Sequence, residues 1–286
     1  MLQKDNNLLA AILYSDIFDY PLTKEEVKKY QIANNALKIK GKVVNKNGFY
    51  YLQGRGKIIQ ERLQREKISE KKILLAKKIA HMLKYIPTVQ CIGLSGSLAM
   101  HNAKETDDID FFVITRARTL WLTRLFILLV LSLFGIRRKK FDHQTNNKVC
   151  VNMLVDENCL TLPKQNLYTA HEVIQMKPLV IKNNMYQNFL QANKWVKEFL
   201  PNGIETHPSV PSPGGDRKTQ SPLHRRGKGV GSFLELFAKK IQIWYMKKYR
   251  TNEIITDTLL AFHPEDQGEK VMREFEKRLQ KYRLSF

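Results

Sequence analysis

The chain is short of acid. Its 286 residues carry 27 Asp and Glu against 48 Lys and Arg, a formal net charge of +21. That imbalance argues against a basic partner and for an anionic one: nucleic acid, a nucleotide, an acidic protein or a membrane surface. Part of the excess is local, since Arg217 to Lys228 holds five Lys or Arg and no acid. Cysteine is scarce. Cys91, Cys150 and Cys159 show no zinc-ligand spacing, which excludes a structural zinc site. Two lie in apolar strand-like runs and read as buried reduced thiols of a cytoplasmic protein. No long apolar run is present. Leu120 to Ile136 is strongly apolar, but Arg124 interrupts it and Leu125 to Ile136 is only twelve residues. A membrane span needs about 20. The stretch reads as a core helix ending near Gly135, with Arg137 to Lys140 at its C-terminal side, and membrane association is not expected. No basic region followed by a long apolar core opens the chain, so no secretory signal is expected. No internal repeat is present, and the length allows two or three small domains.

What is present is concentrated between Gly93 and Thr115. Gly96-Ser97 follows the apolar run Val89 to Leu94, and Asp108-Ile109-Asp110 precedes a second apolar run, Phe111 to Ile114. Residues i and i+2 of a strand share a face, so Asp108 and Asp110 project together. Two carboxylates on one face repel each other unless a cation lies between them, and Mg²⁺ held by carboxylates and substrate phosphates is the usual solution. The Gly-Ser turn offers backbone N–H groups and a hydroxyl to a phosphate. An Asp-rich surface turn between two core strands is the plain alternative.

These residues resemble the signature of the DNA polymerase β-type nucleotidyltransferase superfamily: a small-residue turn ending in Gly-Ser, about ten residues, then Asp, apolar, Asp, apolar. The resemblance is specific over about 25 residues and extends over roughly 86 to 160. It implies that Gly96 and Ser97 contact a nucleoside triphosphate and that Asp108 and Asp110 ligate Mg²⁺ or Mn²⁺. The superfamily adds a third acid from a later strand. The expected strand, Val149 to Val155, has no carboxylate in its interior. Asn152 stands at mid-strand, with Asp156 beyond and Asp142 before it. Asn152 is either an accessory ligand or a satisfied buried amide. Glu172 is either a base approaching the site or a helix-surface carboxylate. Arg116, Arg118 and Arg124 either neutralise phosphate charge or cap and solvate the next helix.

The expected fold class is α+β: a nucleotidyltransferase core with a short mixed sheet and flanking helices, a winged-helix-like N-terminal module and a C-terminal helical region. Residues 1–56 form the first module. Thr23 to Glu26 is a capping box, and two β-prone runs flank Asn47-Gly48 as a hairpin. Lys28, Lys29, Lys38, Lys40, Lys42 and Lys46 surround it, so the module either contacts DNA phosphates or positions a substrate or protein. Residues 57–87 form a connecting helix with Ile73, Leu74, Ile79, Ala80 and Leu83 as its buried stripe and a solvated charged face. The core spans 88–160, with strands 89–94, 109–114 and 149–155 and a helix over 117–134. A helical extension covers 161–201, with helices over 166–176 and 185–200. A flexible basic insert covers 202–231, and C-terminal helices fill 232–286, including 253–262.

The function implied is Mg²⁺-dependent transfer of a nucleoside monophosphate from an NTP, with ATP as the default donor, to a hydroxyl of an RNA, protein or small molecule. The alternative is a nucleic-acid-binding regulator that keeps the fold without the chemistry.

Overall fold

The computed structural model describes residues 2–33, 42–139, 142, 144–204, 230–247, 254–262 and 266–282. Lys38, Lys40 and most of the expected basic insert lie outside the described residues. Ten helices and nine strands are present among them. The first part comprises α1 (Leu2–Asp16), β1 (Leu22–Thr23), α2 (Lys24–Lys29), β2 (Val43–Lys46) and β3 (Phe49–Leu52), with the strands in a small sheet of order β1-β3-β2. The expected capping box starts α2: Thr23 Oγ1 accepts from Glu26 N at 3.3 Å, and Thr23 N donates to Glu26 Oε2 at 2.8 Å. The expected hairpin joins β2 to β3 through Asn47 (φ 54°) and Gly48 (φ 81°), both in the left-handed region that a two-residue turn requires.

The long α3 (Ile58–Leu83) leads into a six-stranded mixed sheet. Its members are β4 (Val89–Leu94), β5 (Ile109–Thr115), β6 (Val149–Asp156), β7 (Lys177–Ile181), β8 (Ile254–Ile255) and β9 (Leu259–Ala261), in the order β7-β4-β5-β6-β9-β8. The short α4 (Gly96–Ala99) follows β4, and α5 (Leu120–Leu133) follows β5. The rest comprises α6 (Leu167–Gln175), α7 (Met185–Ala192), α8 (Val196–Phe199), α9 (Val230–Lys247) and α10 (Asp266–Tyr282).

Side-chain alternation sorts the sheet into two faces. Ile92, Leu94, Phe111 and Val113 pack with α3, α5 and α9 residues such as Ile79, Ile127 and Ala238. Cys91, Phe112 and Ile114 pack on the other face with Leu13 of α1, Val173 of α6, Phe189 of α7 and Phe275 of α10. The first part therefore shares one core with the sheet and the last helix.

Four local expectations change. Residues 253–262 contain two short strands in place of a helix. Ile254, Ile255, Thr256 and Thr258 are β-branched, and β9 pairs antiparallel with the outer edge of β6. The buried stripe of α3 omits Leu74, which is 61% exposed, and passes through Lys72. Lys72 tolerates burial because its Nζ donates to the carbonyls of Glu105 (2.9 Å) and Asp107 (2.6 Å) and to Asn146 Oδ1 (2.9 Å). The expected helix over 185–200 breaks at Asn193, whose side chain bonds Leu162 N, Leu160 O and Trp195 Nε1 instead. Finally, β7 is a strand that no pattern announced; Pro178 interrupts it, and it occupies the sheet edge where proline is tolerated.

Candidate active site

Asp110 shares its face of β5 with Phe112 and Ile114, so it points toward α1, α6 and α10. Asp108 enters from the residue before the strand. The carboxylates of Asp108 and Asp110 and the thiol of Cys150 each place an atom within 4.8 Å of the others. Cys150 arrives because β6 runs parallel to β5 with Asp110 opposite Cys150. Two residues later the register slips: Phe111 faces Val151 and Phe112 faces Met153, leaving Asn152 as the extra residue of a bulge. Its Nδ2 donates to Ser95 Oγ at 3.3 Å, and the residue is buried beside the site.

The turn that ends β4 closes on the same carboxylate. Gly96 has φ 63°, and a Cβ there would lie 3.0 Å from Asp110 Oδ2. Glycine answers both the left-handed backbone and the close approach. Ser97 is next to it, and its Oγ donates to Asp107 Oδ2 at 3.1 Å, which also accepts from Lys104 N at 2.9 Å. Asp107 thus turns back to tie the loop, leaving Asp108 and Asp110 as the converging pair. Lys72 holds the outside of this loop and the Asn146 loop that leads into β6.

Charge is compensated by a residue that no motif announced. Arg138 Nη1 donates to Asp108 Oδ2 at 2.6 Å. Burial, then repulsion from Asp110, raises the Asp108 carboxyl above its usual range, and Arg138 opposes both. Burial and the same two carboxylates push the Cys150 thiol up, so it stays protonated at neutral pH.

A cavity of about 320 Å³ opens over Gly96, Ser97, Asp110 and Asn152. Tyr14, Phe18 and Tyr20 wall it from α1 and the turn after it; Tyr168, His171 and Glu172 wall it from α6; and Gln267 and Val271 from α10. Arg278 of α10 is paired with Asp16 of α1, which joins two of these walls. A second cavity of about 240 Å³ shares Asn152, Tyr168, Glu172 and Gln267 with the first. Glu172 therefore faces the cavities. Its charge is the leading cause, before burial and Asp110, that raises the Tyr168 hydroxyl. His171 stacks on Tyr14 at 4.1 Å, and burial, aided by Lys29, lowers its pKa to about 3, so the ring is neutral. A larger cavity of about 410 Å³ lies beyond Met100 and Gln175, but none of Gly96, Ser97, Asp108 or Asp110 lines it.

The three arginines after β5 stand apart from this cavity. Arg118 N donates to Asp156 Oδ2 at 2.6 Å, so Asp156 closes a loop end. Arg124 lies under α9, with Nη1 donating to Gln242 Oε1 at 2.6 Å and the guanidinium 4.4 Å from the Phe262 ring. Arg116 N bonds Thr88 O at 2.8 Å. Asp142 pairs with Lys148 at 3.8 Å. Sequence reasoning missed Arg138, Cys150 and Lys72. Cys150 shares strand parity with the chosen Asn152, and only the parallel register made it the partner of Asp110.

No protein-family model matches the chain, and no curated protein matches it. A solved structure described as "Crystal structure of the toxin-antitoxin with AMP-PNP" is similar, at 20% identity over 42% of this chain and 84% of that one, with a TM-score of 0.28. A likeness that low carries no argument about fold or function.

Proposed function

We propose that this chain is a nucleotidyltransferase. It moves a nucleoside monophosphate from an NTP, with ATP as the default donor, to a hydroxyl of an RNA, a protein or a small molecule. The observation that carries the reading is the contact of the Gly96 turn with Asp110, at 3.0 Å from the Cβ position, beside a second carboxylate within 4.8 Å. A phosphate-gripping turn beside a paired-carboxylate cation site suits metal-assisted nucleotidyl transfer. The motif resemblance supports the same reading, with residues 88–160 as the nucleotidyltransferase core and residues 1–56 as a winged-helix-like module.

The donor set suits Mg²⁺ or Mn²⁺. Two carboxylates supply hard oxygen ligands, while the protonated Cys150 thiol is no ligand for a hard cation. Bound at Asp108 and Asp110, the cation would supply charge stabilisation to the phosphates. Gly96 and Ser97 hold the terminal phosphates. Glu172, which lines the same cavity as the turn, accepts the proton of the attacking hydroxyl. Tyr14, Phe18 and Tyr20 exclude water and give a flat wall against which a ring can lie. The first module thereby takes the substrate-positioning role left open by its sequence.

One observation favours the second reading, a nucleic-acid-binding regulator without chemistry: the group completing the carboxylate cluster is a thiol. Incubation with α-³²P-labelled NTP, Mg²⁺ and RNA or protein acceptors separates the two. Label transferred by the wild type and lost in Glu172→Gln supports the enzyme. Nucleic-acid retention with no transfer to any acceptor supports the regulator.

A further inference from the structure

Where α9 lies along α5, polar groups meet in the contact and large apolar side chains face outward. Glu235 accepts from Trp121 N and Leu122 N, each at 2.8 Å, so its carboxylate closes the N-terminus of α5. The buried Gln242 donates to Trp121 O at 2.8 Å and accepts from Arg124. These bonds fix the helix pair in one orientation. On its outer side α5 exposes Phe126, Leu129 and Leu133, with Phe134 at its end. The outer side of α9 exposes Phe233, Phe237, Ile241, Trp244 and Tyr245. Leu133 is 84% exposed, Trp244 75% and Phe233 70%. A surface helix normally turns such residues inward. A group of exposed large apolar residues marks a contact site.

Lysines border this face among the described residues, and the exposed Asp257 beside α9 is ion-paired with Lys239. Lys240 lies among the exposed apolar residues of α9, Lys247 ends that helix, and Lys139 follows Phe134; all three are exposed.

We propose that this face docks on an anionic lipid surface. Its aromatic and aliphatic side chains enter the headgroup–acyl boundary, and its lysines meet the headgroups. A second copy of the chain is a poor occupant, because a two-fold contact repeats the same patch and sets these lysines against their own counterparts. A protein partner anchors side chains in pockets, and no residue of α5 or α9 lines the cavities described above. Lipid accepts a projecting apolar face without a pocket. Among the described residues no helix is long and apolar enough to cross a membrane, so the contact is with the surface. The inference is independent of the transfer chemistry.

The test is flotation of the full chain with vesicles of phosphatidylglycerol and phosphatidylcholine, beside vesicles of phosphatidylcholine alone. Trp121 and Trp195 are buried, so a shift of tryptophan emission to shorter wavelength on binding reports Trp244. Anionic vesicles should bind about tenfold or more tighter than neutral ones, and salt should weaken the binding. Leu129→Gln with Leu133→Gln should lower the partition constant by about tenfold, with the thermal midpoint unchanged because both side chains are exposed. Lys240→Glu should weaken binding without touching the apolar face. Absence of flotation, equal binding to neutral vesicles, or a concentration-dependent doubling of mass that Leu129→Gln abolishes without any lipid binding would each overturn the proposal.

Discussion

Replacing Asp110 by Asn tests both the electrostatics and the chemistry of the carboxylate pair. The two carboxylates lie within 4.8 Å of each other, and Arg138 opposes the repulsion on Asp108. At that separation the repulsion is about 1 kcal/mol if water screens it fully and about 3 kcal/mol at an effective dielectric of 20. Asp108 is 14% exposed and Arg138 34%, so intermediate screening applies. Asn keeps the size of Asp and much of its hydrogen bonding, so Asp110→Asn should stabilise the chelator-treated protein by about 1–2 kcal/mol, or roughly 4 °C in thermal midpoint. The raised Asp108 carboxyl fixes the pH dependence. A carboxyl raised in the folded state contributes stability that is present below its unfolded pKa and lost as pH rises through the folded value. The wild type should therefore lose midpoint on that rise, and the variant should lose less, since Asp110 is one cause of the shift. With Mg²⁺ and NTP the order reverses. Saturating ligand at about 100 times its dissociation constant adds about 2.7 kcal/mol to the wild type and little to the variant. Differential scanning calorimetry in chelator, in Mg²⁺ and in Mg²⁺–NTP reads all three arms, and the labelling assay should show transfer lost. A variant less stable than the wild type in chelator refutes the electrostatic reasoning. A variant that keeps the ligand shift or the transfer rate refutes the chemical one.

Three further outcomes are expected. Arg62, 5% exposed, donates to Glu26 at 2.6 and 2.9 Å and lies 4.1 Å from the Tyr20 ring, tying α3 to α2. Burial raises Glu26, but Arg62, Thr23 and Tyr20 outweigh it and hold the carboxyl low, so Arg62→Met should cost about 3 kcal/mol and roughly 10 °C of midpoint near neutral pH; a loss under about 1 kcal/mol would show the pair to be dispensable. His171 is neutral when folded, with a pKa lowered to about 3. Its unfolded form takes up a proton first, so stability should fall by about 1.4 kcal/mol per unit as pH drops below about 6.5, and urea titrations of His171→Phe should show a flatter profile. Replacing residues 205–229 by a short Gly-Ser linker should leave the midpoint almost unchanged, because that composition has too little apolar surface to offset its ordering entropy; a large drop would show that the segment packs.

Much was legible in the chain itself, where local chemistry decides the outcome. The capping box at Thr23, the Asn47-Gly48 turn and the i, i+2 placement of Asp108 and Asp110 rest on spacing alone, and each appears in the structure. The apolar stretch after β5 was legible as a helix, though not that only half of it is covered. Tertiary structure decided what depends on partners distant in sequence. Ile254–Ile255 and Leu259–Ala261 became strands because β6 had an open edge, a fact no local period encodes. Lys72 became a buried strut because two loops bring carbonyls and an amide to one point. Cys150 met Asp110 because β6 runs parallel to β5 in one register, and Arg138 met Asp108 because α5 ends where it does. The walls of the cavity come from α1, α6 and α10, which are separated by 150 and then 90 residues of chain and are brought together only by the shared apolar face of the sheet. Sequence spacing sets which side chains share a face. Only long-range pairing sets what that face meets.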